Sequence, residues 1–292
     1  MRATAYSKLT LTLRVVGRRV DGYHELEALA ISVADPHDIV EVEAVPHPGG
    51  ITFDLKGETA SVPVGADNLA VRAGEALMLR AGRSGHGVRM TLRKKIPAGA
   101  GLGGGSADAA GAITAIHRLL EVEIGDAGIR EVGASIGSDV PFCLAGGAAW
   151  MRGRGELIEP VALHPGLPVL VAIPPYQLST AAVYAAWDEL GGPPASRVVD
   201  APDAVARITP TLSNDLEQAA EAVEPRLVEF REALEAAAGA PAVLAGSGSA
   251  YAVLPDGSTD RVALLARRVR RALKVPVAAS QSVSRGVRLG TG

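Results

Sequence analysis

The chain of 292 residues is 48% hydrophobic and 21% charged, enough for one large or two modest globular domains with a sizeable core. A net charge of −3 argues against a general nucleic-acid binder, which would carry a strongly basic surface. The lone Cys143 excludes an internal disulfide and leaves no thiol cluster for zinc, and no apolar run reaches membrane-spanning length, so the expectation is a soluble cytoplasmic protein.

Residues 3–16, "ATAYSKLTLTLRVV", alternate with the period of a half-buried strand, unlike the continuous apolar run of a signal peptide. A turn signal at Asp21-Gly22 opens "DGYHELEALAISVAD", and "DIVEVEAV", residues 38–45, reads as another strand. Residues 68–82 predict a helix stopping at Gly82, and "GVRMTLRKK" predicts a strand leading into a glycine cluster. From Ser106, apolar residues at 110, 113, 116 and 120 follow a helical period. Asp126 is placed to cap a second helix that ends at Gly137. The pattern resets after "GRGELIEPV", which puts a boundary near residues 155–165 and predicts lobes of 1–160 and 161–292. The second half reads as a buried strand "LPVLVAIPP", a short helix "TAAVYAAWDEL", one or two helices over 214–239, a strand–turn–strand over 240–255, and a helix Arg261 to Lys274. Residues 191–204, "GGPPASRVVDAPDA", are the expected mobile loop. The arginines of the last helix fit a solvated outer face, with an anion-binding patch as the lesser reading.

Three stretches carry the candidate chemistry. "IPAGAGLGGGSADAA", residues 96–110, matches G-x-G-x-x-G at Gly99, Gly101 and Gly104, but no strand ending in an acidic residue follows its helix, and no Lys precedes Ser106 as in a Walker A loop. Bare glycine amides at a helix start still make an anion site, and the Ser106 hydroxyl suits a phosphate oxygen or Mg²⁺. In "IGSDVPFCLAGGAAW", Asp139 reads alone as a cap or turn residue, and beside a phosphate loop as a base or metal ligand. Cys143 reads as core. "LAGSGSAY" is either a hairpin turn or a second glycine-lined wall over phosphates. Lys8 alone would be a solvent-facing lysine, and Tyr23-His24 alone a surface pair beside a turn.

Taken together and in this order, these stretches resemble the GHMP kinase superfamily, whose ATP loop Pro-x-x-x-Gly-Leu-Gly-Ser/Gly-Ser is matched from Pro97 to Ser106. Within it the chain is most similar to the 4-diphosphocytidyl-2-C-methyl-D-erythritol kinase family. The match runs through Lys8, "GRRVDGYHELEAL", "IPAGAGLGGGSADAA", "GSDVPF", "GRGELIEPV", "STAAVY", "NDLE" and the "GSGS" turn, over essentially the whole chain. The resemblance implies a two-lobed α/β (α+β) fold, with a ribosomal-S5-like N-terminal lobe, a ferredoxin-like C-terminal lobe and the site between them. It implies an enzyme using ATP and Mg²⁺ to phosphorylate the 2-hydroxyl of a cytidine diphosphate-linked polyol for non-mevalonate isoprenoid synthesis, with no nucleic-acid or membrane partner.

In this picture Lys8 and Asp139 match the catalytic pair, and ATP lies along Pro97, Gly99, Gly101, Leu102, Gly103, Gly104, Gly105 and Ser106. Ser106 serves Mg²⁺, and Lys94 and Asn68 fall where the family holds adenine. Thr10, Tyr23, His24, Thr180, Tyr184, Gly246 and Ser247 face the substrate, with Tyr23 and Tyr184 on either side of the cytosine. Two positions depart from the family: Thr10 stands where it usually has Asn, and Tyr6 where it has Pro. The alternatives are another GHMP specificity, for homoserine or a sugar, and a non-catalytic ligand-binding member.

Overall fold

The computed structural model describes residues 1–46, 49–255 and 259–290. Strands β1 (Arg2–Arg18) and β2 (His24–Val45) form a long antiparallel pair joined at the expected turn, where Gly22 takes a φ of 86°. Where the sequence predicts two strands between residues 21 and 45, β2 runs unbroken. Tyr6 pairs with His37 and Ser7 with Val33, so residues 34–36, Pro36 among them, bulge out of the ladder without ending it.

β3 (Gly50–Gly57), which the sequence reading missed, pairs parallel with β4 (Gly87–Lys94), and β4 pairs antiparallel with β2. Helix α1 (Leu69–Arg80) begins at Asn68, whose Oδ1 accepts from Ala70 N at 2.9 Å. Helix α2 (Gly104–Leu119) is buried almost all round, and its small residues allow close packing: a Cβ on Gly111 would stand 2.9 Å from a Val40 methyl. Helix α3 (Gly125–Ile136) starts one residue before Asp126, which therefore lies inside the first turn and does not cap it. Gly125 enters the helix from a left-handed φ of 62°, and the Asp126 carboxylate is left to favour the positive end of the helix. Helix α4 (Val140–Ala145) leads into the hairpin of β5 (Ala148–Gly153) and β6 (Leu157–Val161), and β5 lies against β2.

The second half contributes β7 (Pro168–Ala172), α5 (Thr180–Glu189), β8 (Val198–Asp200), α6 (Asp203–Ala206), β9 (Thr211–Asn214), α7 (Glu217–Val223), α8 (Arg226–Ala238), β10 (Val243–Leu244), β11 (Tyr251–Val253), α9 (Thr259–Leu273), β12 (Val277–Val283) and β13 (Val287–Leu289). Strand order is β10-β11-β7-β12-β2-β1-β9-β8, with β13 also on β1. The expected boundary near 155–165 takes in β6 and the chain just after it, with the cut at 160/161 inside that strand, and β9, β12 and β13 return to pair with β1 and β2. Residues 191–204, expected to be a mobile loop, contain β8 and are tied down. Pro193 O accepts from Trp187 Nε1 at 2.9 Å, Ala195 N donates to Asp215 at 2.8 Å, and Arg197 pairs with Glu217 and Glu235. In α9 Val262, Ala266 and Val269 are buried while Arg267, Arg268, Arg270 and Arg271 are exposed, the arrangement of a solvated outer face. Among the described residues no helix is long and apolar enough to cross a membrane.

Candidate active site

From Ala3 to Leu13 β1 is buried at successive residues, apart from the partly buried Tyr6, and not at alternate ones, because β2 pairs along one edge, β9 and β13 pair along the other, and α2 and α4 pack on it. Its register slips between Thr10 and Thr12, so Leu11 is an extra residue and the alternation changes phase. That slip lets Leu13 join Lys8 and Thr10 in lining one cavity. A buried ammonium needs a partner, and Lys8 Nζ finds Asp139 Oδ2 at 2.9 Å. Asp139 occupies the N-cap position of α4 but makes no capping bond. Its carboxylate, one-third exposed at 33%, is turned to Lys8, which removes the capping reading.

The glycine loop owes its path to left-handed residues. Gly99, Gly101 and Gly103 have φ of 73°, 80° and 67°. At Gly101 a Cβ would stand 2.6 Å from Gly248 N, and at Gly103, the N-cap of α2, 3.2 Å from Lys8 Cβ. Lys8 N donates to Leu102 O at 3.0 Å, while Ala250 N donates to Ala100 O at 3.0 Å and Ser249 N to Gly99 O at 3.3 Å. The loop is thus strapped between β1 and the Gly-Ser turn that joins β10 to β11. That turn is at once the hairpin connection and a wall of the site.

Two cavities meet here. One, of about 350 Å³, is lined by Asn68, Lys94, Pro97, Gly99 and the whole run Gly101 to Ser106. The other, of about 680 Å³, is lined by Thr10, Tyr23, His24, Tyr184 and Gly246. Lys8, Ser106, Asp139, Thr180 and Ser247 line both, and the Thr180 and Ser247 hydroxyls lie 3.0 Å apart. Every site residue taken from the sequence therefore borders one cavity or both.

Individual roles differ from position. The Asn68 side chain caps α1 and donates to Pro63 O at 2.8 Å. The Lys94 ammonium is held by Asp38 and Asp108 at 2.5 and 2.7 Å. Tyr184 stacks on His24, with centroids 4.7 Å apart and planes at 24°, and burial raises its hydroxyl above the usual range. Tyr23 is half-exposed with the Arg154 guanidinium 4.9 Å over its ring. Cys143 is buried, and burial pushes its thiol up, which keeps it an inert core residue.

Sequence reasoning missed Asp188, Arg18, Asp38 and Asp108. His24 Nε2 lies 2.8 Å from Asp188 Oδ1, and Arg18 approaches the same carboxylate at 3.5 Å. Asp188 is four residues after Tyr184 on α5, the same helix face, and that spacing was a usable signal. Asp38 opens a strand-like run and Asp108 sits within the glycine motif, where neither pattern separates it from a surface acid.

Residues 68–147 match the family described as GHMP kinases N terminal domain. The chain is 39% identical over 271 residues to 4-diphosphocytidyl-2-C-methyl-D-erythritol kinase of Moorella thermoacetica, covering 88% of this chain and 91% of that protein. It is 36% identical over 260 residues to the protein of the same name from Gloeobacter violaceus, covering 86% and 84%. A crystal structure of 4-(cytidine 5'-diphospho)-2C-methyl-D-erythritol kinase superposes with a TM-score of 0.78 at 35% identity, covering 97% of this chain and all of that one. Homoserine kinase from Cytophaga hutchinsonii, at a TM-score of 0.67 and 17% identity over 99% of this chain and 96% of its own, shares the fold.

Proposed function

The chain belongs to the 4-diphosphocytidyl-2-C-methyl-D-erythritol kinase family of the GHMP kinases, and from that premise we propose how its residues divide the work. It is an ATP-dependent small-molecule kinase. The reaction is transfer of the γ-phosphoryl group of ATP to the 2-hydroxyl of 4-diphosphocytidyl-2-C-methyl-D-erythritol, in the cytoplasm. ATP takes the smaller cavity, with its phosphates on the loop amides and the N-terminus of α2, where bare N–H groups and the helix dipole favour anions. The cytidylyl polyol takes the larger one, its base between the rings of Tyr23 and Tyr184 beside His24.

The observation that carries the reading is the Lys8–Asp139 pair, 2.9 Å apart on the wall both cavities share. Asp139 orients the substrate hydroxyl and takes its proton. Lys8 holds that carboxylate in place and faces the charge that develops on the transferred group. Phosphoryl transfer through a loose transition state asks for this kind of positioning more than for covalent help. Magnesium takes most of its ligands from phosphate and water, so Ser106 at the junction suits it, with no cluster of three acidic, histidine or cysteine groups among the described residues. Bound there, it would neutralise phosphate charge. Thr10 and the Thr180–Ser247 hydroxyl pair line the space between base and hydroxyl. Purified protein with ATP and Mg²⁺ should form ADP with the diphosphocytidyl substrate and not with homoserine or galactose. ADP formation with either of those, and none with the cytidylyl compound, overturns the assignment.

A further inference from the structure

Lys94 ends β4 almost fully buried, and its ammonium donates to Asp38 Oδ2 at 2.5 Å and to Asp108 Oδ2 at 2.7 Å. Asp38, on β2, has no exposed surface, and its other oxygen accepts from Lys95 N at 2.5 Å and Ile96 N at 2.9 Å, the residues that lead into the glycine loop. Asp108 lies in the second turn of α2, just past the point where the loop becomes helix. One ammonium therefore ties the strand before the loop to the helix after it, through a carboxylate that also holds the first loop amides.

We infer that Asp38, Lys94 and Asp108 form a buried clamp that fixes both ends of the glycine loop, and that Lys94 is a positioning residue, not a nucleotide ligand. Two carboxylates share one ammonium, and Asp108 Oδ1 has no hydrogen-bond partner among the described residues. The ammonium is committed to the two carboxylates and turned from the nucleotide, base and phosphates alike. Drawing Lys94 toward the nucleotide would take the only side-chain partner from Asp108, whose carboxyl burial and the nearby Asp38 already push well above the usual range, and would leave Asp38 only its two loop amides. What the clamp supplies is geometry: the loop amides point at their target before ATP arrives, and preorganisation of that kind raises affinity without adding a contact.

The inference rests on reading the loop cavity as the nucleotide site, and calorimetry separates the two. The titrants are a non-hydrolysable ATP analogue and, as the control for the other cavity, cytidine diphosphate. Unaltered protein that binds no analogue overturns the site reading and the clamp with it. Given binding, Lys94→Met and Asp108→Ala should each weaken the analogue by about tenfold or more, since ångström-scale loosening of a positioned group is costly. Cytidine diphosphate affinity should stay within about twofold. The double variant should be no worse than Lys94→Met alone, because Lys94→Met already breaks the one link that Asp108→Ala removes. Asp108→Asn keeps an acceptor toward Lys94 and should restore binding to within about threefold. Should Lys94→Met fail to fold, the two Asp108 variants decide. Unchanged or tighter analogue binding in Asp108→Ala, where the ammonium loses one of its two carboxylates and keeps Asp38, shows that the link to α2 does not position the loop and overturns the clamp. Equal loss for both titrants overturns it as well, since that reports a general structural defect.

Discussion

Replacing Asp139 by Asn should remove most turnover while both ligands still bind. The change keeps side-chain size and deletes a charge and a proton-accepting oxygen. With the Lys8 ammonium 2.9 Å from Oδ2, the amide must turn its oxygen toward Lys8, because an NH₂ facing an ammonium sets donor against donor. The NH₂ then faces the cavity, where the substrate hydroxyl needs an acceptor. Positioned proton transfer is worth about 10²–10⁴ in rate, or about 3–5 kcal/mol of barrier at 1.36 kcal/mol per decade. Affinity for ATP should hold or tighten slightly, since a negative charge near the phosphates has gone. Single-turnover ADP formation at saturating substrates reads the chemical step, calorimetry reads both affinities, and a thermal melt confirms the fold. Lys8→Met should cost a comparable factor, and the double variant little more than either alone, as for groups that act as a unit. An Asp139→Asn enzyme that keeps more than about a tenth of wild-type kcat refutes the proton-acceptor role, and an effect confined to KM would move Asp139 into binding.

Gly101→Ala should lower ATP-analogue affinity at least tenfold with the fold intact, because its methyl would meet Gly248 N at 2.6 Å in a residue at φ 80°; normal affinity removes the loop from the phosphate site. Tyr184→Ala should raise KM for the cytidylyl substrate roughly 5- to 150-fold, the worth of about 1–3 kcal/mol of base stacking, with ATP KM unchanged. Tyr184→Phe should stay near wild type. An unchanged substrate KM in Tyr184→Ala, or in Tyr23→Ala, takes that ring out of the base site. Glu217, on α7, is pushed up to about 7 from 4.5 by burial, against the pull of Arg197. Between those values the folded chain holds a proton that the unfolded chain has released, so stability falls as pH rises from about 4.5 to about 7 and levels off above. Glu217→Gln should flatten that slope in urea melts at pH 5 and pH 8; a slope as steep as wild type would show that another group sets it.

What the sequence made legible were features with local causes. The glycine cluster, the helix behind it and the Asp21-Gly22 turn each follow from backbone freedom within a few residues, and the structure adds which glycines, 99, 101 and 103, are left-handed. Lys8 and Asp139 emerged only jointly with the loop, as parts of one motif set, because each alone is an ordinary strand lysine or turn aspartate. Elements decided by distant partners were not legible. β3 exists because β4 offers it an edge, and the stretch 191–204 is pinned by Asp215, Glu217 and Glu235. β2 looks like two strands because Pro36 is a local stop signal, and only the partner β1 shows that the ladder steps over it. Lys94 is the sharpest case. Its position in the cavity wall was readable by resemblance, but where its charge goes depends on Asp38 and Asp108, at sequence distances of 56 and 14 residues.

The same distance effect explains why the two cavities share a wall. The loop is bonded on one side to β1 through Lys8 N and on the other to the turn after β10, so neither half of the chain builds the loop cavity alone. At that junction Thr180 and Ser247, 67 residues apart, put their hydroxyls 3.0 Å from each other and border both cavities. A displacement of the Gly-Ser turn therefore moves a wall of both cavities at once. Lys8 and Asp139 hold the fixed end of this arrangement, one on a strand buried at successive residues and the other at the start of α4. Phosphoryl donor and acceptor hydroxyl must approach along one line for transfer, and a wall built jointly from β1, the glycine loop and the Gly-Ser turn makes that line a property of how the two halves of the chain meet.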